Sequence, residues 1–157
     1  MTHLEKVISG GQTGADRAAL DAVMSVGIPS GGWCPKGRRA EDGDIPPRYP
    51  LRETPEEAVE QRTEWNVRDS DGTLILVLGE QDQGTQYTVE QADQYNRPTL
   101  TVTLPAASGD VERAASWLKN ESIQVLNVAG PRESNAPGLY EHARTFLESL
   151  FRRCVRR

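Results

Sequence analysis

Histidine is almost missing from this sequence: 157 residues hold two, His3 and His142, near opposite ends. That scarcity argues against a His-based catalytic triad and against a multi-histidine metal site. Cysteine is as scarce. Cys34 and Cys154 stand far apart with no C-x-x-C, which rules out a disulfide framework and a zinc knuckle. A reducing cytoplasm is then the expected compartment. Basic residues are outnumbered, with 18 Lys and Arg against 23 Asp and Glu and a net charge of −5. Sequence-independent binding of nucleic acid needs a basic face, so no nucleic-acid partner is expected. No apolar run approaches the ~18 residues of a membrane span. The opening MTHLEKVISGG lacks the charged-then-apolar order of a signal peptide, and no membrane partner is expected. The length suits one domain, 1–157, with a core that needs no staples.

What is present is an alternation of short apolar runs and helical faces. Glu5 to Ser9 reads as a strand and runs into Gly10-Gly11-Gln12-Thr13-Gly14-Ala15-Asp16. Ala15, Ala18, Ala19, Ala22, Val23 and Val26 then fall on one helical face, stopped by Gly27 and Pro29. Residues 28–50 are rich in Gly and Pro and read as an ordered loop with a brief strand around Trp33. Thr54-Pro55-Glu56-Glu57 has the form of a capping box, predicting a helix from there to about Arg68. Thr73 to Leu78 is a continuous apolar run, as in a buried parallel strand. A helix holding Val89, Ala92 and Tyr95 follows, then a strand over Pro98 to Leu104. A helix marked by Val111, Ala114, Ala115 and Leu118 leads to a strand over Ile123 to Ala129. Asn135 is the predicted cap of a last helix. The whole predicts an α/β fold: a Rossmann-like three-layer sandwich with a mainly parallel sheet.

Three strand-to-helix junctions carry Gly and small hydroxyl residues: Gly10 to Asp16, Gly79 to Thr88, and Gly130 to Asn135. In a parallel sheet all such junctions lie at the carboxyl edge, where ligands bind. Helix N-termini there offer unpaired N–H groups, and Gly lets the backbone approach an anion. Each loop alone is equally a tight turn; three at one edge favour a site for a phosphate-bearing small molecule. The candidate contacts are Gly10, Gly11, Gln12, Thr13, Gly14 and Asp16, then Gly84, Thr85 and Thr88, then Gly130, Pro131, Arg132 and Ser134. The first loop matches neither G-x-G-x-x-G nor G-x-x-x-x-G-K-[ST], so the ordinary dinucleotide and P-loop readings lack their motif.

Trp33-Cys34-Pro35-Lys36-Gly37-Arg38-Arg39 is the second informative segment. Lys36, Arg38 and Arg39 form a local anion-binding patch or a solvated basic turn, and Trp33 is placed to stack on a planar ring or to pack that turn. Arg62, Trp65, Asn66 and Asp69 share a helical face that either lines a pocket or makes ion pairs at a subunit contact. Asp69-Ser70-Asp71 reads as a turn more readily than as a metal or acid–base pair. Asp16 is assigned to the dipole of its helix, and Cys34 to a buried thiol. The tail Arg152, Arg153, Arg156 and Arg157 suits a helix C-terminus.

On these segments the chain resembles the Putative molybdenum carrier family, Rossmann-like proteins similar to molybdenum cofactor carriers. The matching stretches are Ser9 to Asp21, Gly31 to Gly43, Tyr49-Pro50-Leu51, Arg62 to Asp71, and Gly130 to Ser134. The resemblance implies a fold related to the phosphoribohydrolases and the DprA-like nucleotide binders. It also implies a homo-oligomer, dimer or tetramer. Relatives bind the molybdenum cofactor, a pterin with a terminal phosphate. One loop departs: Gly79 to Thr88 carries Glu80 and Asp82 where relatives have a less acidic Gly-Gly-Ser/Thr loop. The phosphoribohydrolases carry G-G-x-G-T-x-x-E. Here Thr88 holds the glutamate's place, and Glu90 lies two residues on, about 200° around the helix.

The resulting expectation is a non-catalytic binder of a phosphorylated heterocycle, with molybdenum cofactor first as a carried ligand and a nucleotide second. The alternatives are a nucleoside-monophosphate phosphoribohydrolase, with Asp16, Glu41, Asp69 and Glu90 as candidate acids, and a nucleotide-sensing module with a protein partner.

Overall fold

The computed structural model describes residues 4–79 and 84–155. The acidic pair Glu80 and Asp82, and Arg156 and Arg157 of the basic tail, lie outside the described residues. In chain order the elements are β1 (Lys6–Ile8), α1 (Ala15–Val26), β2 (Ser30–Gly31), β3 (Trp33–Cys34), β4 (Arg39–Ala40), β5 (Gly43–Asp44), β6 (Arg52–Glu53), α2 (Val59–Arg68), β7 (Gly72–Leu78), α3 (Gln86–Gln94), β8 (Thr99–Leu104), α4 (Asp110–Asn120), β9 (Val125–Ala129) and α5 (Leu139–Cys154).

Five strands form the main sheet in the order β2-β1-β9-β7-β8, every neighbouring pair parallel. β9 is inserted between β1 and β7. The three strands that precede the glycine-bearing loops therefore stand side by side, and their loops share one edge. Right-handed crossovers fix the layers. The crossovers through α1 and α4 step one way along the sheet and the crossover through α3 steps the other way, so α3 lies on the opposite face from α1 and α4. The packing agrees: α5 packs on both α1 and α4, while α2 packs on α3. This is the expected Rossmann-like α/β sandwich.

The main core joins the small-residue face of α1 (Ala15, Ala18, Ala19, Ala22) to Leu74, Leu76, Val102, Leu126 and the Phe146–Leu150 stripe of α5. Alanines on α1 let α5 approach closely. A second, smaller cluster of Leu20, Cys34, Ile45, Tyr49 and Leu51 sits under the Gly- and Pro-rich segment. That segment is more ordered than its composition suggests. β3 pairs with β6 and β4 pairs with β5, giving two small ribbons beside the main sheet.

Two predicted helix starts move. Thr54 does not cap α2. Its N–H donates to the Cys34 carbonyl at 2.9 Å, extending the β3–β6 pairing, and its buried hydroxyl donates to Glu56 O. The tertiary pairing overrides the local capping box, and α2 begins at Val59 with Ala58 as its cap residue. Likewise Asn135 ends a single 3₁₀ turn, Glu133–Asn135, and α5 begins at Leu139. Glu133 takes over the capping: its carboxylate accepts from Gly138 N at 2.8 Å and Tyr140 N at 2.9 Å. Among the described residues no helix is long and apolar enough to cross a membrane.

Candidate functional site

A cleft of about 400 Å³ opens at the carboxyl edge of the sheet. All three predicted loops reach it. Gly10 and Gln12 come from the loop after β1 and Asp16 from the first turn of α1; Gly84 and Thr85 from the loop entering α3 and Thr88 from its first turn; Gly130, Pro131 and Arg132 from the loop after β9. The fourth wall is α2, through Val59, Glu60, Arg62, Thr63 and Asn66.

Arg62 dominates the floor. Its side chain is only 13% exposed and lies across Gly10. Nη1 donates to Gly10 O at 3.1 Å and stands 3.5 Å from Asp16 Oδ2, and Nε donates to Thr63 Oγ1. Nη2 makes no hydrogen bond among the described residues and is the donor left for a ligand. Asp16 also accepts from Gln12 N at 3.3 Å. Burial holds the Asp16 carboxyl above the usual carboxylate range, with Arg62 pulling the other way. Gly10 leaves the space that the Arg62 side chain fills, since a Cβ there would crowd it.

The loops after β1 and β9 are locked together. Ala15 N donates to Pro131 O at 3.3 Å, and Glu133 N donates to Thr13 Oγ1 at 3.1 Å. Gly14, at φ +80°, leaves no room for a Cβ against the Pro131 carbonyl. Glu41, at the turn of the β4–β5 ribbon, clasps the pair from outside. Its carboxylate accepts from the Thr13 hydroxyl, from Ser134 N at 3.1 Å and from Ser134 Oγ at 2.5 Å. Those bonds, Ser134 first, hold the Glu41 carboxyl below its ordinary value. Next to it Asp42 pairs with Arg17, whose Nε and Nη2 donate to Gly11 O.

Thr13, Gly14 and Ser134 thus brace the cleft without lining it. Gly11 faces Ile45 and Leu51. The Gln12 side chain serves the same brace, its Oε1 accepting from Thr13 N and Glu41 N.

The basic segment is placed elsewhere. Trp33 stands edge-on to Trp65 with ring centroids 4.8 Å apart, carries Arg52 over its face, and donates its indole N–H to Asp69 at 2.8 Å. Arg38 spends its guanidinium on the carbonyls of Ile45, Pro46, Tyr49 and Leu51, organising that loop. Arg39 pairs with exposed Asp44, and Lys36 is exposed away from the cleft lining. The sequence's count of cations is right, but the protein's own carbonyls and carboxylates have claimed two of the three.

Of the four candidate acids only Asp16 lines the cleft. Asp69 is held by Arg68 and the Trp33 indole, with its carboxyl lowered by Arg68 first. Glu90 is exposed and accepts from Gln86. Residues 69–71 form a turn, from which Asp71 accepts from Gln124 N and Val125 N. Cys34 is fully buried, and burial raises its thiol pKa. Among the described residues no group of three or more His, Cys, Asp or Glu side chains is placed to hold a metal.

The sequence named Arg62 and Asn66 only as an ambiguous helical face. They separate by role: Arg62 enters the cleft, while Asn66, on its wall, brackets Trp33 through both backbone groups. Val59, Glu60, Thr63, Tyr87 and Asn127 were missed. The one available signal was the poverty of α2 in apolar residues, since a helix so polar has little else to face than a cleft or solvent.

The pattern of the circularly permutated YpsA SLOG family matches residues 7–151. Among solved structures, the "Putative molybdenum carrier protein" of Syntrophus aciditrophicus SB is similar, with 47% identity over 95% of this chain and 96% of that one and a TM-score of 0.87. No curated protein matches.

Proposed function

This chain belongs to the circularly permutated YpsA SLOG family, and from that membership we propose that it binds a phosphorylated heterocyclic small molecule in the cleft. The observation that carries the reading is the convergence of three loops and Arg62 on one cavity. Backbone N–H groups near helix N-termini and a guanidinium with a free nitrogen suit a phosphate. A volume of about 400 Å³ falls within the range of small-molecule sites. Molybdenum cofactor is the first candidate as cargo, because the solved relative carries the name of a molybdenum carrier. A nucleoside monophosphate is the second. The phosphate end would meet Gly10, Arg62 and Gly130 to Arg132, and the ring would lie toward Val59 and Tyr87.

The test is mass spectrometry of small molecules carried through gentle purification, paired with thermal unfolding in the presence of phosphorylated pterins and nucleotides. Ligand that binds only the folded state raises the unfolding temperature. Absence of any shift across both classes at saturating concentration would overturn the proposal.

One observation favours a second reading. Asp16 is a buried carboxyl with a raised pKa in the same cleft, the setting of a general acid in N-glycosidic cleavage. Release of free base from a nucleoside monophosphate, lost in Asp16→Asn, would establish it; no release would close it.

A further inference from the structure

The cleft is electrically two-ended. At its floor lies the Arg62 guanidinium, little exposed. At its rim stand Val59 and Tyr87, 38% and 37% exposed. Around the Tyr87 phenol are three carboxylates, Glu64, Glu60 and Glu90, which add to burial in raising its pKa. Two of the three are committed: Glu64 accepts from the Tyr95 hydroxyl at 2.6 Å, and Glu90 from Gln86 Nε2. Glu60 lines the cleft and has no hydrogen bond or ion pair among the described residues.

An acidic rim repels a second phosphate or a carboxylate, so it selects a ligand that is anionic at one end only. A carboxylate with both oxygens free is matched by two parallel N–H donors, a bidentate pairing that is stronger and more directional than a single bond. Among phosphate-bearing heterocycles, the 2-amino-4-oxo pyrimidine edge offers that pair, a ring N–H beside an exocyclic amine. Guanine and pterin share it; hypoxanthine lacks the amine, and adenine lacks the ring N–H. Tyr87 and Val59 supply the surface against which such a ring stacks.

We propose that Glu60 is the specificity-determining residue of the cleft, reading the 2-amino-4-oxo edge of a guanine or pterin monophosphate whose ring rests on Tyr87. The proposal rests on the ligand reading above and adds the class of ring.

Isothermal titration of the full chain with four ligands tests it: guanosine, inosine and adenosine 5′-monophosphates, and 6-hydroxymethylpterin phosphate. The guanine and pterin compounds are expected to bind about tenfold or more tighter than the other two, the worth of one charge-assisted hydrogen bond. In Glu60→Gln and Glu60→Ala the guanosine-to-inosine ratio falls to about threefold or less. Reading a ratio removes the general gain in phosphate affinity that follows from deleting a negative charge. Glu60 is exposed, and matching circular dichroism and urea midpoints will confirm that both variants fold. The guanine and pterin arms distinguish the two sources of the shared edge. A ratio near one in the parent chain, or a high ratio that survives both substitutions, overturns this inference while leaving phosphate binding standing. Failure of all four to bind overturns both.

Discussion

Arg62 lies across Gly10: its Nη1 donates to the Gly10 carbonyl, and a Cβ on Gly10 would come within 2.3 Å of that same nitrogen. The glycine is what lets a helix on one side of the sheet deliver a cation to the strand edge. Gly10 has no positive φ, so alanine is tolerated by the backbone and only the flexible Arg62 side chain must move. Gly10→Ala is expected to cost under about 1.5 kcal/mol of stability yet weaken phosphate-ligand binding about tenfold or more. Urea unfolding and calorimetric titration of one preparation check both halves.

Gly14 presents the opposite case. Its φ is +80°, and the atoms a Cβ would strike are backbone atoms of Pro131, Arg132 and Glu133, which cannot swing away. Gly14→Ala should lose about 2–4 kcal/mol. Gly138 also has a positive φ but open space around it, so Gly138→Ala should lose only about 1 kcal/mol. Equal losses in the two variants would show that the lock between the β1 and β9 loops adds nothing beyond backbone strain.

Glu41 makes the same lock sensitive to acid. Its folded-state pKa lies below the ordinary carboxylate value because Ser134 and Thr13 donate to the ionised form. The stability it contributes is therefore fully present above the unfolded-state pKa and is lost as pH falls through the folded-state pKa. The parent chain should lose more stability than Glu41→Gln on going from pH 6 to pH 3. Urea midpoints across that range give the comparison, and parallel curves would remove Glu41 from the clasp.

The three glycine-bearing loops at the cleft were legible because their signals are local: an apolar run, then glycines, then a helical face, all within a few residues. The basic segment was not, because what decides its role lies elsewhere in the chain. Trp33 is taken by Trp65 and Arg52, and the donors of Arg38 by carbonyls at Ile45 to Leu51. A sequence counts cations without showing which acceptors reach them first. The capping box at Thr54 failed for a related reason, since the pairing of β6 with β3 engaged the threonine. Arg62 was placed on the right helical face by its spacing, but only the docking of α2 against the Gly10 loop shows that the face turns to the cleft.

Asp16 stands 3.5 Å from Arg62 and partly offsets its charge. Asp16→Asn keeps an acceptor for Gln12 N and removes that offset. Affinity for inorganic phosphate and for a nucleoside monophosphate should rise about three- to tenfold at pH 7, the scale of one neighbouring charge in a partly buried site. A fall in affinity would mean that the carboxylate's main part is to hold Arg62 in position.

In the proposed complex, loops from three adjacent strands grip one negatively charged group. Amide NMR of the isotopically labelled chain, titrated with guanosine 5′-monophosphate, tests it most directly. The expected result is that the N–H signals of Gly10 to Gln12, Thr85 to Thr88, Gly130 and Arg132 shift together along one saturation curve, while those of Lys36 to Arg39 stay in place. Shifts confined to one loop, or centred on the Trp33 to Arg39 segment, would contradict it.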